Sequence, residues 1–180
     1  FIAHLTQSVF HFNRNLLLAG SMLTAATTIT SCSNQNNAHD AAAVTAQNDS
    51  IEARQMAKEE TFLAQKAKEP GVQSLGGGLL YKVLRAGNGA QPTSTSMVTV
   101  DYEGKLIDGT IFDSSYQRGE PASFPVSGVV AGWQIALKAM HIGDEWEVYI
   151  PQYLGYGANG TGNIPPYSTL IFRISLKSVE

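Results

Sequence analysis

The 180-residue sequence has a single cysteine, Cys32, and four histidines, of which only His141 lies beyond His39. After residue 39 there is therefore no Cys/His set for zinc and no base histidine for a nucleophile, so Asp113-Ser114-Ser115 offers hydroxyls without a triad. Charge is also sparse. Twelve Lys+Arg against 15 Asp+Glu give a formal −3, without the basic stripe that a nucleic-acid binder needs. No apolar run reaches the roughly 20 residues of a bilayer-spanning helix. Proline and glycine are nearly missing from the first part of the chain: all seven Pro lie at or after Pro70, and 16 of the 17 Gly at or after Gly71. Twelve aromatics, by contrast, fall between Tyr81 and Phe172. The chain joins two different materials, and its length suits one domain with an appendage.

Residues 1–31 read as a signal peptide. Arg14 precedes the apolar Leu16-Leu17-Leu18-Ala19, which decays through Ser- and Thr-containing sequence to Ile29-Thr30-Ser31-Cys32. That length and composition suit a secretory segment better than an anchor helix. Small residues before a lone Cys, with Ser33-Asn34-Gln35-Asn36-Asn37 after it, resemble a bacterial lipoprotein processing site. The resemblance implies a lipidated Cys32 as the first mature residue, and so a protein anchored in the cell envelope by lipid, facing the periplasm or the surface. A plain signal peptide with an incidental Cys is the alternative. Residues 32–50, short of large apolar side chains, are expected to form a disordered tether. Residues 51–78 come next as helix and linker. Helix formers run from Ile51 to Lys68 and stop at Pro70-Gly71, with Phe62 and Leu63 able to dock on the domain beyond. No heptad is sustained, so a monomer is expected over a dimerising helix.

Residues 79–180 are expected to form the working domain. Leu79–Leu84 reads as a strand, and Gly76-Gly77-Gly78 before it as a flexible linker. Val98, Val100 and Tyr102 alternate on another strand, and Asp108-Gly109 marks a hairpin turn before Thr110-Ile111-Phe112. Gly132–Met140 is the one helix expected here, with Trp133, Leu137 and Met140 on one face. Glu145–Ile150 and Thr169–Leu176 complete the strands. The pattern is α+β, an antiparallel sheet with one helix laid across it. Gly155-Tyr156-Gly157-Ala158-Asn159-Gly160 matches a Gly-x-Gly-x-x-Gly string, but it opens no helix and sits in no βαβ unit, so it reads as a loop and not as a dinucleotide cradle.

Five blocks carry a specific resemblance. Val100-Asp101-Tyr102-Glu103-Gly104, then Asp108 to Ser115, then Val129-Val130-Ala131-Gly132-Trp133, then Gly155-Tyr156-Gly157, then Ile164-Pro165-Pro166-Tyr167-Ser168-Thr169-Leu170-Ile171-Phe172 resemble, in order, an FKBP-type peptidyl-prolyl cis-trans isomerase. Phe62-Leu63-Ala64 and Gly71-Val72 resemble the approach segment of that family's macrophage-infectivity-potentiator branch. The resemblance implies an antiparallel half-barrel wrapped around a short helix, and rotation about X–Pro bonds in clients that fold outside the cytoplasm.

It further implies one pocket floored by Trp133. Tyr102, Val129, Val130, Trp133, Ile164 and Phe172 would bind substrate. Phe112, Asp113 and Tyr156 would act on it, Phe112 holding the prolyl ring, Asp113 polarising or orienting the twisting amide, and the Tyr156 hydroxyl and Val130 N–H binding flanking carbonyls. Pro-containing polypeptides and FKBP-type macrolides are the expected partners, with no cofactor, metal or nucleic acid. The alternative is a non-catalytic chaperone or adhesion lipoprotein that holds Pro-containing segments in the same pocket.

Overall fold

The structure, a computed structural model, describes residues 36–180. Residues 1–31, expected to be a signal peptide, and Cys32 lie outside the described residues. Helix α1 spans Asn36–Lys66. It begins well before Ile51, so most of the stretch expected to be a tether is helix. No Gly or Pro interrupts the chain between Asn36 and Glu69. Once the C-terminal half docks, propagation through the alanines around Val44 adds one hydrogen bond per residue without needing an apolar stripe. Pro70-Gly71 ends the element as expected.

Strand β1 (Val72–Gly76) then turns into β2 (Leu79–Arg85). The glycines here do not form a flexible linker; Gly77 and Gly78, at φ of +58° and +75°, make the turn of a hairpin. The strand leaves little trace in the sequence because only Val72 and Leu75 of β1 are partly buried, so there is no period-two alternation. Strand β3 (Met97–Lys105), strand β4 (Ile111–Ser114), the one-turn helix α2 (Ser115–Arg118) and strand β5 (Ala122–Pro125) come next. Helix α3 spans Ala131–Ala139, and strands β6 (Glu145–Ile150) and β7 (Leu170–Val179) complete the domain.

The strands form one antiparallel sheet of order β1-β2-β6-β7-β3-β4, with β5 pairing the first half of β3. The concave face closes on α3. Val98, Val100 and Tyr102 point inward as their alternation requires, and meet Trp133, Ala136, Leu137 and Met140 with Val148, Ile150, Phe172 and Ile174 from the central strands. Gly132 lets α3 lie this close, because a Cβ there would stand 2.4 Å from Ile150.

The opposite face of the sheet is not left bare. Leu80, Tyr149 and Ile171 form a smaller cluster covered by Phe62 and Leu63 of α1. Phe62 meets Tyr149 edge-on at 6.2 Å between ring centroids, and the Lys66 ammonium lies 5.4 Å over the Tyr149 ring. The fold is thus the expected α+β half-barrel around a short helix, with a longer preceding helix docked on its back.

Candidate functional site

Four aromatics from four elements converge beside α3. Tyr102 comes from β3, Phe124 from β5, Trp133 from the first turn of α3 and Phe172 from β7. Their rings meet edge to face: Trp133 is 5.1 Å from Phe172, 5.3 Å from Tyr102 and 6.0 Å from Phe124. Such contacts add to simple burial and hold the rings in fixed orientations. They bound a cavity of about 330 Å³ whose rim is completed by Asp113, Gly128, Val129, Val130 and Tyr156. A second hollow of about 240 Å³ adjoins it, lined by Phe112, Ile164 and the polar stretch from Thr161 to Asn163. Asp113, Tyr156 and Phe172 border both.

All nine sequence-predicted pocket residues therefore come together, seven at the first hollow and Phe112 and Ile164 at the second. Trp133, Tyr102, Phe172 and Ile164 are buried, whereas Tyr156 is 40% exposed, between turns at Gln152–Leu154 and Gly157–Asn159. Val130 caps α3, and its N–H has no hydrogen-bond acceptor among the described residues. The first N–H groups of a helix are left without intrahelical partners, so this donor is available at the cavity rim.

The pocket carries one ionic group of note. The Tyr102 hydroxyl donates to Asp113 Oδ2, Arg118 donates to Asp113 Oδ1, and Arg118 Nη2 also reaches the Tyr102 oxygen at 2.9 Å. Partial burial would raise the Asp113 pKa, but the hydrogen bonds from Tyr102 and Arg118 outweigh it and hold the carboxyl below the usual range. Burial, together with the bond to Asp113, pushes the Tyr102 phenol up. The phenol thus stays protonated and the carboxyl ionised across the neutral range. Among the described residues no cluster of His, Cys, Asp or Glu is arranged to hold a metal.

The sequence profile of FKBP-type peptidyl-prolyl cis-trans isomerases matches residues 88–177, and that of the domain amino-terminal to such isomerases matches residues 4–83. The chain belongs to the FKBP-type peptidyl-prolyl cis-trans isomerase family. It is similar to the peptidyl-prolyl cis-trans isomerase Mip of Coxiella burnetii, with 52% identity over 124 residues, covering 68% of this chain and 54% of that protein. It is similar to the outer membrane protein MIP of Legionella longbeachae, 48% identical over 125 residues, 69% of this chain and 54% of that one. Among solved structures, FkpA from Escherichia coli superposes with a TM-score of 0.73 at 40% identity, covering 81% of this chain and 68% of that one. The chain spans about half the length of the curated relatives it matches.

Three residues that line or brace this pocket are not legible as such in the sequence. Phe124 reads as part of a short extended piece, yet pairing with β3 brings its ring 6.0 Å from both Tyr102 and Trp133. Arg118 has no visible partner, because its reach to Asp113 depends on α2. That helix turns the chain back after Ser114, which caps it by accepting the Gln117 N–H, and ends at Gly119. Ser115 is fully buried and accepts the Tyr102 N–H at 2.9 Å, pinning the strand that carries the phenol. The Ser114-Ser115 pair at the start of this one-turn helix is the only signal for both.

Proposed function

We propose that the chain accelerates rotation about X–Pro peptide bonds of polypeptides folding outside the cytoplasm. The observation that carries this is the cage of edge-to-face aromatics around a cavity of about 330 Å³. The X–Pro barrier, about 18–20 kcal/mol, is set by amide resonance. The planar amide is charge-separated and favoured by water, and the twisted one is less polar. A prolyl ring seated among Trp133, Tyr102 and Phe172 leaves water behind, which raises the planar state relative to the twisted one. Each roughly 1.4 kcal/mol of that difference is worth about tenfold in rate. Phe112 closes the ring's outer side, with Val129 and Ile164 lining the path of the flanking chain. The Val130 N–H and Tyr156 hydroxyl hold flanking carbonyls. Asp113 holds Tyr102 and Arg118 in place along the pocket wall. No nucleophile or proton transfer is required by this chemistry.

The test is a tetrapeptide isomerisation assay with a series that varies the residue before Pro, with and without an FKBP-type macrolide. Turnover that the macrolide abolishes is the expected result, and Tyr156→Phe should lower kcat/KM about three- to fivefold, the loss of one hydrogen bond. Binding of every peptide without turnover of any would replace the enzyme by a holding module. Residues 1–31 are read as an export signal and Cys32 as a lipidated anchor in the cell envelope. The support is the sequence around Cys32 and the likeness to a relative named as an outer membrane protein. Among the described residues no helix is long and apolar enough to cross a membrane. Mass spectrometry of the mature N-terminus decides the point: an unmodified Cys32 removes the anchor.

A further inference from the structure

Helix α1 presents an unusual seam to the domain. Glu52, Met56, Glu59 and Leu63 recur at spacings of four, three and four, and so share one helix face. Glu59 is only 4% exposed, a buried carboxylate that the isomerase chemistry does not use. One oxygen accepts the backbone N–H of Thr169 at 3.0 Å and the other the Gln55 side-chain amide at 2.5 Å. A buried carboxylate is tolerated only where such donors satisfy it. Thr169 immediately precedes β7, at the exit of the loop that carries Tyr156 and Ile164. Two residues earlier, the Tyr167 hydroxyl donates to Glu52 Oε2 at 3.0 Å, while its N–H donates to the Gly157 carbonyl at 2.9 Å, next to Tyr156.

Tyr167 also has a φ of +60°, the one positive value of a non-glycine residue among the described residues. A bulky side chain adopts that conformation only where its surroundings impose it. The rest of the loop has little of its own to hold it. From Ala158 to Asn163 it is small and polar, with a single bridge between Thr161 and Ile164.

We propose that Glu52 and Glu59 of α1 are positioning residues for the proline pocket, holding Tyr167 and Thr169 and, through the Tyr167–Gly157 hydrogen bond, fixing where Tyr156 stands over bound substrate. The inference rests on the proline-pocket reading above. A loop already tied in its binding geometry loses less freedom when substrate arrives. Loosening it should therefore weaken substrate binding and leave the rotation step alone.

The experiment uses the full chain with Pro-containing tetrapeptides, reading KM and kcat by turnover and Kd by intrinsic tryptophan fluorescence. Tyr167→Phe deletes only the hydroxyl that reaches Glu52, and should raise KM and Kd about threefold with kcat unchanged. Glu59→Ala should raise them about tenfold, and Glu59→Gln, which keeps an acceptor for Thr169, should return most of the loss. Because Tyr167 acts through Tyr156, Tyr156→Phe and Tyr167→Phe combined should cost less than the product of their separate effects. Wild-type KM and Kd in folded Tyr167→Phe and Glu59→Ala proteins overturn the inference, as does a strictly multiplicative double variant. If Glu59→Ala fails to fold, Tyr167→Phe and its double variant decide alone. Wild-type protein that binds peptide without turnover defeats the isomerase reading, and the Kd series still decides the positioning role; wild-type protein that binds no peptide overturns both.

Discussion

Gly104→Ala is expected to lower both stability and isomerase activity, although Gly104 is not among the residues lining either hollow. On β3 it sits between two pocket rings, and a Cβ would stand 2.6 Å from both Phe112 and Phe172. Those rings meet edge-on at 5.5 Å, and Phe172 is buried against Trp133, so the ring free to yield is the half-buried Phe112. Overpacking of this kind costs roughly 1–3 kcal/mol. Because the strain falls on the wall shared by both hollows, a loss in kcat/KM of roughly tenfold to a hundredfold should accompany it.

Urea midpoints and tetrapeptide kinetics separate the two effects when Phe112→Ala is added. Removing the ring makes room for the new methyl, so the double variant should be less destabilised than the sum of the two changes. Activity should not return, since the ring proposed to close the substrate's outer side is gone. Native kinetics in Gly104→Ala would mean that the separation of these rings does not set the pocket.

Gly104 also shows which parts of the molecule can be read in advance. The alternation on β3, the face formed by Trp133, Leu137 and Met140, and the Asp108-Gly109 turn are local patterns, set by side-chain period and turn chemistry. The structure repeats them to within a residue or so. The pocket residues are legible through resemblance, because blocks far apart in sequence meet only after the sheet closes. The features that escape are non-local in a different sense. Arg118 finds Asp113 through one turn of helix, Phe124 finds Trp133 through an edge pairing with β3, and Glu59 finds Thr169 across the back of the sheet. Arg118 and Phe124 belong to no periodic pattern, and the spacing around Glu59 marks a helix face without naming its partner. The early start of α1 escapes for the opposite reason: beyond the docked C-terminal half, propagation needs no further tertiary partner, so the missing apolar stripe before Ile51 is a poor guide.

The second large effect is expected at Asp113. Both its oxygens are engaged, one by the Tyr102 hydroxyl and one by Arg118, so it has little left to offer a substrate directly. Its weight lies in holding the Tyr102 ring against Trp133 and the guanidinium 5.4 Å over that ring. Asp113→Ala should lower kcat/KM roughly tenfold or more, the loss of charge-assisted hydrogen bonds. Stability should move by less than about 1 kcal/mol, because both members of the ion pair are about two-fifths exposed. Tyr102→Phe should cost roughly threefold, and adding it to Asp113→Ala should cost nothing further, since the first change has already released the phenol. Additive losses would instead assign Asp113 a field acting on the amide itself.

The same triad sets the pH dependence. The Asp113 carboxyl is depressed in the folded protein, so its contribution is complete above the ordinary aspartate value of about 3.9 and is lost only as pH falls through the lower folded value. Corrected for the folded fraction, kcat/KM should stay flat from about pH 8 down through the usual carboxylate range and decline below it. Asp113→Asn should be slower throughout and show no such decline. A wild-type profile that already bends near pH 5 would place the controlling proton on another group.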